Sequence, residues 1–179
     1  MPEARTASTS WAPTAHEVGR VVFYVMNPKL GFSGGRYHSW MVAEAAAEMG
    51  WDVSIITTNI PPIAKDFEDK ELFPAHDKIK TYLCRIMEKE PCPLPDIPCD
   101  VLVVVPHGDS KGAYYQNAVD FAKSKGARIA FLNFETPNWF NAHSPHPRDP
   151  SRWDGWRLVS ESAAMVFSLA GEGTVWARE

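Results

Sequence analysis

Three stretches of this chain hold residues whose types and spacing suit chemistry. Gly31, Gly34 and Gly35 fall in "NPKLGFSGGRYHSW", directly before an alanine-rich run. His107 and Asp109 follow the apolar run "VLVVV", and Glu135, Trp139 and Phe140 follow "ARIAFLN". A glycine loop lets backbone approach a ligand closely, and the free N–H groups of the helix it opens favour an anion such as phosphate. Arg36 adds a positive charge there, and His38 follows in the helix's first turn, facing the loop or capping the helix. A glycine turn needed only for tight packing is the plainer reading of the same residues. His107 at a strand's carboxyl end suits hydrogen bonding and proton transfer; a polar turn after a strand is its plain alternative. Glu135 is placed to hold a ligand hydroxyl or act as a base, with Trp139 and Phe140 as a stacking platform or as aromatics that pin a long loop.

Several familiar sites fail on specific residues. A Walker loop requires Gly-Lys-Ser/Thr, which does not follow Gly35. A dinucleotide fingerprint requires G-x-G-x-x-G and an acid ending the second strand. Here the spacing is G-x-x-G-G, and the strand ends in Thr57, Thr58 and Asn59. No G-x-S-x-G elbow supports a serine nucleophile. His143, His146 and Asp149 stand on a proline-rich stretch without the i, i+4 placement of helical zinc ligands, so no metal site is expected. Cys92 and Cys99 flank "PCPLPDIPCD", and with Cys84 they number three. A disulfide framework prefers even counts, so the reading is reduced thiols in a cytoplasmic protein.

The elements that must position these residues are legible as apolar runs and glycine stops. Strands are predicted over Arg20–Met26, Val53–Thr57, Ile79–Ile86, Val101–Val105, Ile129–Asn133 and Met165–Leu169. "VVFYV" and "VLVVV" are apolar throughout, the pattern of parallel strands covered on both faces. "AEAAAEMGWDVSIITT" and "VDFAKSKGARIAFLN" share one plan: helix, glycine at the left-handed C′ position, then a strand almost at once. In helix one, Tyr37, Met41, Ala45 and Met49 recur at four-residue steps beside Val42 and Ala46, which predicts that Glu44 and Glu48 face solvent. A second helix runs from Lys111 to Lys125, with Ser110 as cap and Tyr114, Ala118, Phe121 and Ala122 on one side. A third opens at Asp149 and Pro150 and aligns Trp153, Trp156 and Val159. The run Asp66 to Glu71 reads as a solvated face. Strands alternating with helices give an α/β fold with a doubly wound, mostly parallel sheet of about six strands.

Composition narrows the function classes. The chain has 179 residues, 45% of them hydrophobic, with 18 basic and 22 acidic side chains for a net charge of −4. That length suits one domain, here residues 19–179 behind a polar, disordered leader over 1–18. Scattered single Lys and Arg residues do not form the basic stripe a nucleic-acid partner requires. No apolar stretch approaches the length of a membrane span. The chain ends in "GEGTVWARE", part-way through a helical pattern, which predicts a second domain beyond Glu179. A receiver-like module would want acids ending strand one, where Met26, Asn27 and Pro28 stand.

"FSGGRYHSWMVAEAAAEMGWDVSIITT", "DVLVVVPHG", "ARIAFLNFE" and "SESAAMVFSLAGEG" together, in this order and spacing, resemble the N-terminal Rossmann-like domain of the family-4-like GT-B glycosyltransferases. The resemblance runs from Val21 to about Ala177, and departs from the family at Pro106 and at the long insertion Glu135–Pro150. It implies half of a GT-B fold that moves a sugar from a nucleotide-sugar donor to a sugar or lipid-linked acceptor. It places Gly34, Gly35 and Arg36 beneath the donor phosphates and His107 at the transferred sugar. His38, Asp109, Glu135 and Trp139 become acceptor or sugar contacts. The family as a rule needs no cofactor or metal, and its nucleotide-binding residues lie in the second domain, so this half alone is expected to be inactive. A sugar- or nucleotide-binding module without transfer activity is the alternative.

Overall fold

The computed structural model describes residues 18–27, 34–60, 75–107, 112–133 and 154–168, with the side chains of 34–36 and 168 outside that description. Six strands form one parallel sheet: β1 (Arg20–Val25), β2 (Asp52–Thr57), β3 (Lys80–Leu83), β4 (Val101–Val104), β5 (Arg128–Asn133) and β6 (Ala163–Ser168), ordered β3-β2-β1-β4-β5-β6. The helices are α1 (Gly34–Glu48), α2 (Gly112–Lys125) and α3 (Asp154–Ser162). This is the doubly wound, Rossmann-like arrangement that alternating strands and helices predict.

The continuous apolar character of β1 follows from its place at the centre. Val22 and Tyr24 enter one core with Leu102 and Val104 of β4, beneath α2 and α3. Val21, Phe23 and Val25 enter the other with Val53 and Ile55 of β2, beneath α1. Both sides of the strand are therefore dry, so neither can tolerate a polar residue. At the edges this logic lapses: Met165 and Phe167 of β6 are 54% and 49% exposed.

The glycine stops sit as expected. Gly50 and Gly126 have φ of +90° and +63° and directly precede β2 and β5 with one intervening residue, a conformation that side chains with a Cβ resist. Trp156 and Val159 of α3 and Tyr114, Ala118, Phe121 and Ala122 of α2 are all buried. Trp153, Ser110, Asp149, Asp66–Glu71 and the leader lie outside the described residues.

Two expectations are corrected. The buried residues of α1 are Ser39, Trp40, Ala43, Glu44 and Ala47, with Tyr37 and Ala46 partly buried against the same core, while Met41, Val42, Ala45 and Met49 are exposed. Stepping by four residues drifts around a helix of 3.6 residues per turn, so the predicted stripe meets the sheet at its start and leaves it by Met49. Glu44 is only 3% exposed because its Oε1 accepts the N–H of Ala75 at 2.6 Å, outside the 3₁₀ turn His76–Lys78. Strand β3 also stops at Leu83 and not at Ile86. Cys84 N–H still donates to Thr57 O at 2.8 Å, but the next carbonyls, Met87 and Lys89, are taken by Asn117 Nδ2 on α2 at 3.0 and 2.7 Å. The chain is drawn off the sheet edge onto a helix.

Candidate functional site

In the order β3-β2-β1-β4-β5-β6, the chain moves outward from β1 in one direction and from β4 in the other. The connections after these two neighbouring strands leave on opposite faces, α1 on one and α2 on the other. The switch point of the sheet therefore lies beyond their carboxyl ends, where open α/β sheets bind ligands. Asn27 stands at the end of β1 and His107 at the end of β4. The first residue of α1 is Gly34, so the N–H groups of the glycine pair belong to the helix's unpaired first turn. His38 is the fifth residue of α1, past the first turn, and is solvent-exposed beside Tyr37. The side chain of Arg36, and Asp109, Glu135 and Trp139 entirely, lie outside the described residues.

The β1 and β2 ends are closed by a network of neutral groups. Asn27 N–H donates to Thr58 Oγ1 at 3.0 Å, and that hydroxyl donates to Asn27 O at 2.7 Å. Asn27 Nδ2 donates to Thr57 Oγ1 at 2.7 Å, and Thr57 Oγ1 donates in turn to Asn59 O at 2.9 Å. Asn59 Nδ2 reaches Asn27 O at 2.9 Å. Where a dinucleotide domain presents a ribose-binding acid, this chain has hydroxyls and amides already bonded to one another. Asn27 Nδ2 also reaches Asn59 O at 3.4 Å, and because Thr57 Oγ1 has given its proton to Asn59 O, both groups facing the amide nitrogen accept, which fixes the amide orientation. Its Oδ1 is left buried without a partner, an arrangement that costs about 1–3 kcal/mol.

The β4 end is set by two tyrosines of α2. The Tyr114 hydroxyl shares its proton between Tyr24 O at 3.0 Å and Val105 O at 2.8 Å, bridging β1 to the chain leaving β4. The Tyr115 hydroxyl accepts from His107 N–H at 3.1 Å and donates to His107 O at 3.0 Å. Both backbone groups of His107 are thus held by one side chain. Tyr115 in turn lies against Gly155 of α3, where an added Cβ would fall 2.2 Å from the ring. Tyr114 reads from the sequence as a core residue only, and Tyr115 carries no signal beyond being a second aromatic. A tyrosine buried at a helix's first turn, with a hydroxyl to satisfy, is the clue that points to strand ends.

A charged pair stands at the other end of the sheet. Arg20 binds Asp100 through its guanidinium at 2.9 and 2.6 Å and its N–H at 2.8 Å, at the sheet's amino end. Those bonds bring the Asp100 carboxyl down to about 2. Burial, followed by the nearby Cys92 and Cys84 sulfurs, raises the Tyr24 hydroxyl well above its ordinary value. Among the described residues, no group of three or more His, Cys, Asp or Glu is placed to hold a metal. A groove of about 340 Å³ runs along α2, lined by Pro91, Cys92, Leu94, Asn117 and Phe121 among others. Its walls come from the β3–β4 connection and α2's flank, not from the strand ends. The ends of β1 and β4 are instead followed by a helix N-terminus and by a histidine whose backbone is held by Tyr115. Such a site can donate N–H bonds to an anion and exchange hydrogen bonds with a hydroxyl-rich group.

Among the described residues, no helix is long and apolar enough to cross a membrane. The chain matches no protein-family model and no curated protein.

Proposed function

We propose that this chain is the acceptor-side half of a GT-B glycosyltransferase, which moves a sugar from a nucleotide-sugar donor to a sugar or lipid-linked acceptor. One observation carries the reading. Gly34 opens α1 after β1, and His107, held at both backbone groups by Tyr115, follows β4, so both belong to the strand ends where the order of the sheet reverses. Gly34 and Gly35 leave room for a pyrophosphate, Arg36 adds charge, and the helix N-terminus stabilises the leaving group's negative charge. His107 contacts the transferred sugar. His38, Asp109, Glu135 and Trp139 supply the acceptor side, and a second α/β domain binds most of the nucleotide. Asn27, whose buried Oδ1 has no partner, fits a ligand that brings a hydroxyl donor.

The test is a ¹H–¹⁵N NMR titration of the chain with UDP, GDP and UDP-glucose. Half of a cleft is expected to bind at about millimolar Kd. Shifts concentrated at Gly34, Gly35 and His107 with the diphosphates are the expected result. No shift up to about 10 mM would remove any nucleotide-binding role for this chain alone. Binding without release of free sugar or transfer by the protein joined to its second domain would favour the binding module.

A further inference from the structure

Away from the switch point, two cysteines that the sequence does not pair are in contact. Cys84 Sγ and Cys92 Sγ are 3.4 Å apart, and all three cysteines are free thiols. The proline-rich "PCPLPDIPCD" brings Cys92 and Cys99 together on paper, yet the fold gives Cys92 a different neighbour. We propose that Cys84 and Cys92 are a modification site, at which a small-molecule disulfide converts two thiols into an internal disulfide that fixes the β3–β4 connection against α2.

Each thiol is placed by a different rigid element. Cys84 directly follows β3, and its N–H continues the ladder to Thr57 O at 2.8 Å. Cys92 donates its N–H to Asn117 Oδ1 at 3.2 Å, while the same side chain holds Met87 O and Lys89 O at 3.0 and 2.7 Å. Asn117 of α2 therefore clamps the connection at three points and delivers Cys92 to Cys84. A disulfide needs its sulfurs about 2.0 Å apart, so side-chain rotation has about 1.4 Å to close from the present 3.4 Å. Access is one-sided. Cys84 is 7% exposed, whereas Cys92 is half-buried and lines the groove along α2 with Pro91, Leu94, Asn117 and Phe121. A small disulfide entering that groove meets Cys92 first.

The reaction is two thiol–disulfide exchanges. The Cys92 thiol gives up its proton, and the thiolate attacks one sulfur of oxidised glutathione. A mixed disulfide forms and one glutathione thiolate leaves. Cys84, deprotonated in turn, attacks the Cys92 sulfur and expels the second glutathione. The protein loses two hydrogens and the oxidant gains them as two glutathione thiols. Burial, and then the contact with Cys84, pushes the Cys92 thiol up to about 12, so the exchange is slow and the pair stays reduced until the oxidant is abundant.

Incubation of the chain with excess oxidised glutathione, then alkylation and peptide mapping, tests this. Trypsin cuts after Arg85 and Lys89, and a protease that cuts before aspartate separates Cys92 from Cys99 at Asp96. All three cysteines then lie on separate peptides. The expected product is one peptide pair linked through Cys84 and Cys92, with Cys99 alkylated. In Cys84→Ala the glutathione should remain on Cys92. A Cys92–Cys99 link, a glutathione that persists on wild-type Cys92, or three alkylated thiols would overturn the proposal. The oxidised form should also melt a few degrees higher and revert with dithiothreitol; an unchanged Tm would overturn the claim that the bond fixes the connection.

Discussion

The two faces of the sheet are packed by different means. Under α2 and α3 the core is aromatic: Tyr24, Tyr114, Tyr115, Phe131 and Trp156 are buried together, with Trp156 edge-on to Phe131 at 6.0 Å and Tyr115 edge-on to Tyr114 at 5.0 Å. Under α1 the helix meets the sheet through Ala43 and Ala47, with Trp40 buried and Tyr37 partly buried beside them. Polar links differ in the same way. On the aromatic face, tyrosine hydroxyls tie a helix to strand ends, so packing and site geometry are one structure. On the alanine face, the Glu44 carboxylate ties the helix to the backbone before the 3₁₀ turn, remote from His107 in the chain. The aromatic face therefore sets the candidate site, and the alanine face leaves α1 to offer its N-terminus.

Four measurements break or sharpen that contrast. The largest effect is expected from Trp156→Ala, which empties a fully buried indole site and should cost about 3–5 kcal/mol in urea unfolding. Next, Glu44→Ala should cost about 1–3 kcal/mol, because the buried N–H of Ala75 loses a charge-assisted partner. Glu44→Gln keeps an acceptor oxygen and should recover most of the loss. If Ala and Gln behave alike, the carboxylate is not what holds the turn.

Tyr115→Phe should cost about 1 kcal/mol. Its sharper readout is faster amide exchange at His107, with the amides of α1 unchanged. Equal changes on both faces would dissolve the distinction drawn here.

The smallest effect belongs to neither face. Asp100, exposed and held at about 2 by Arg20, has a folded pKa below its unfolded value of about 3.9. Its contribution is therefore complete above about pH 4 and is lost as pH falls towards 2. Asp100→Asn should flatten the pH dependence of the urea midpoint in that window only, and modestly, since solvent screens the pair.

How much of this was legible beforehand varies by residue. β1 and β4 were readable because a strand dry on both faces admits no polar residue, and Gly50 and Gly126 because a positive φ selects glycine. The place of His107 just beyond β4 followed from its position after "VLVVV". The orientation of α1 was misread, since its alanines carry little hydrophobic signal although they are what the sheet contacts. Glu44 looked solvated because charge is ordinarily outside, and only Ala75, 31 residues away, gives it a reason to be buried. Neither the Tyr115 clamp nor the Cys84–Cys92 contact leaves a mark on spacing.

The sequence by itself determined the alternation of strands and helices, the stops between them and the loop that opens α1. Those are local matters of apolar runs, propensity and glycine conformation. Only the tertiary structure decided which face of each helix is buried, which tyrosine holds His107, and which cysteine meets Cys92. These depend on neighbours distant along the chain, and they are fixed when close packing brings a donor, an acceptor or a second sulfur within reach.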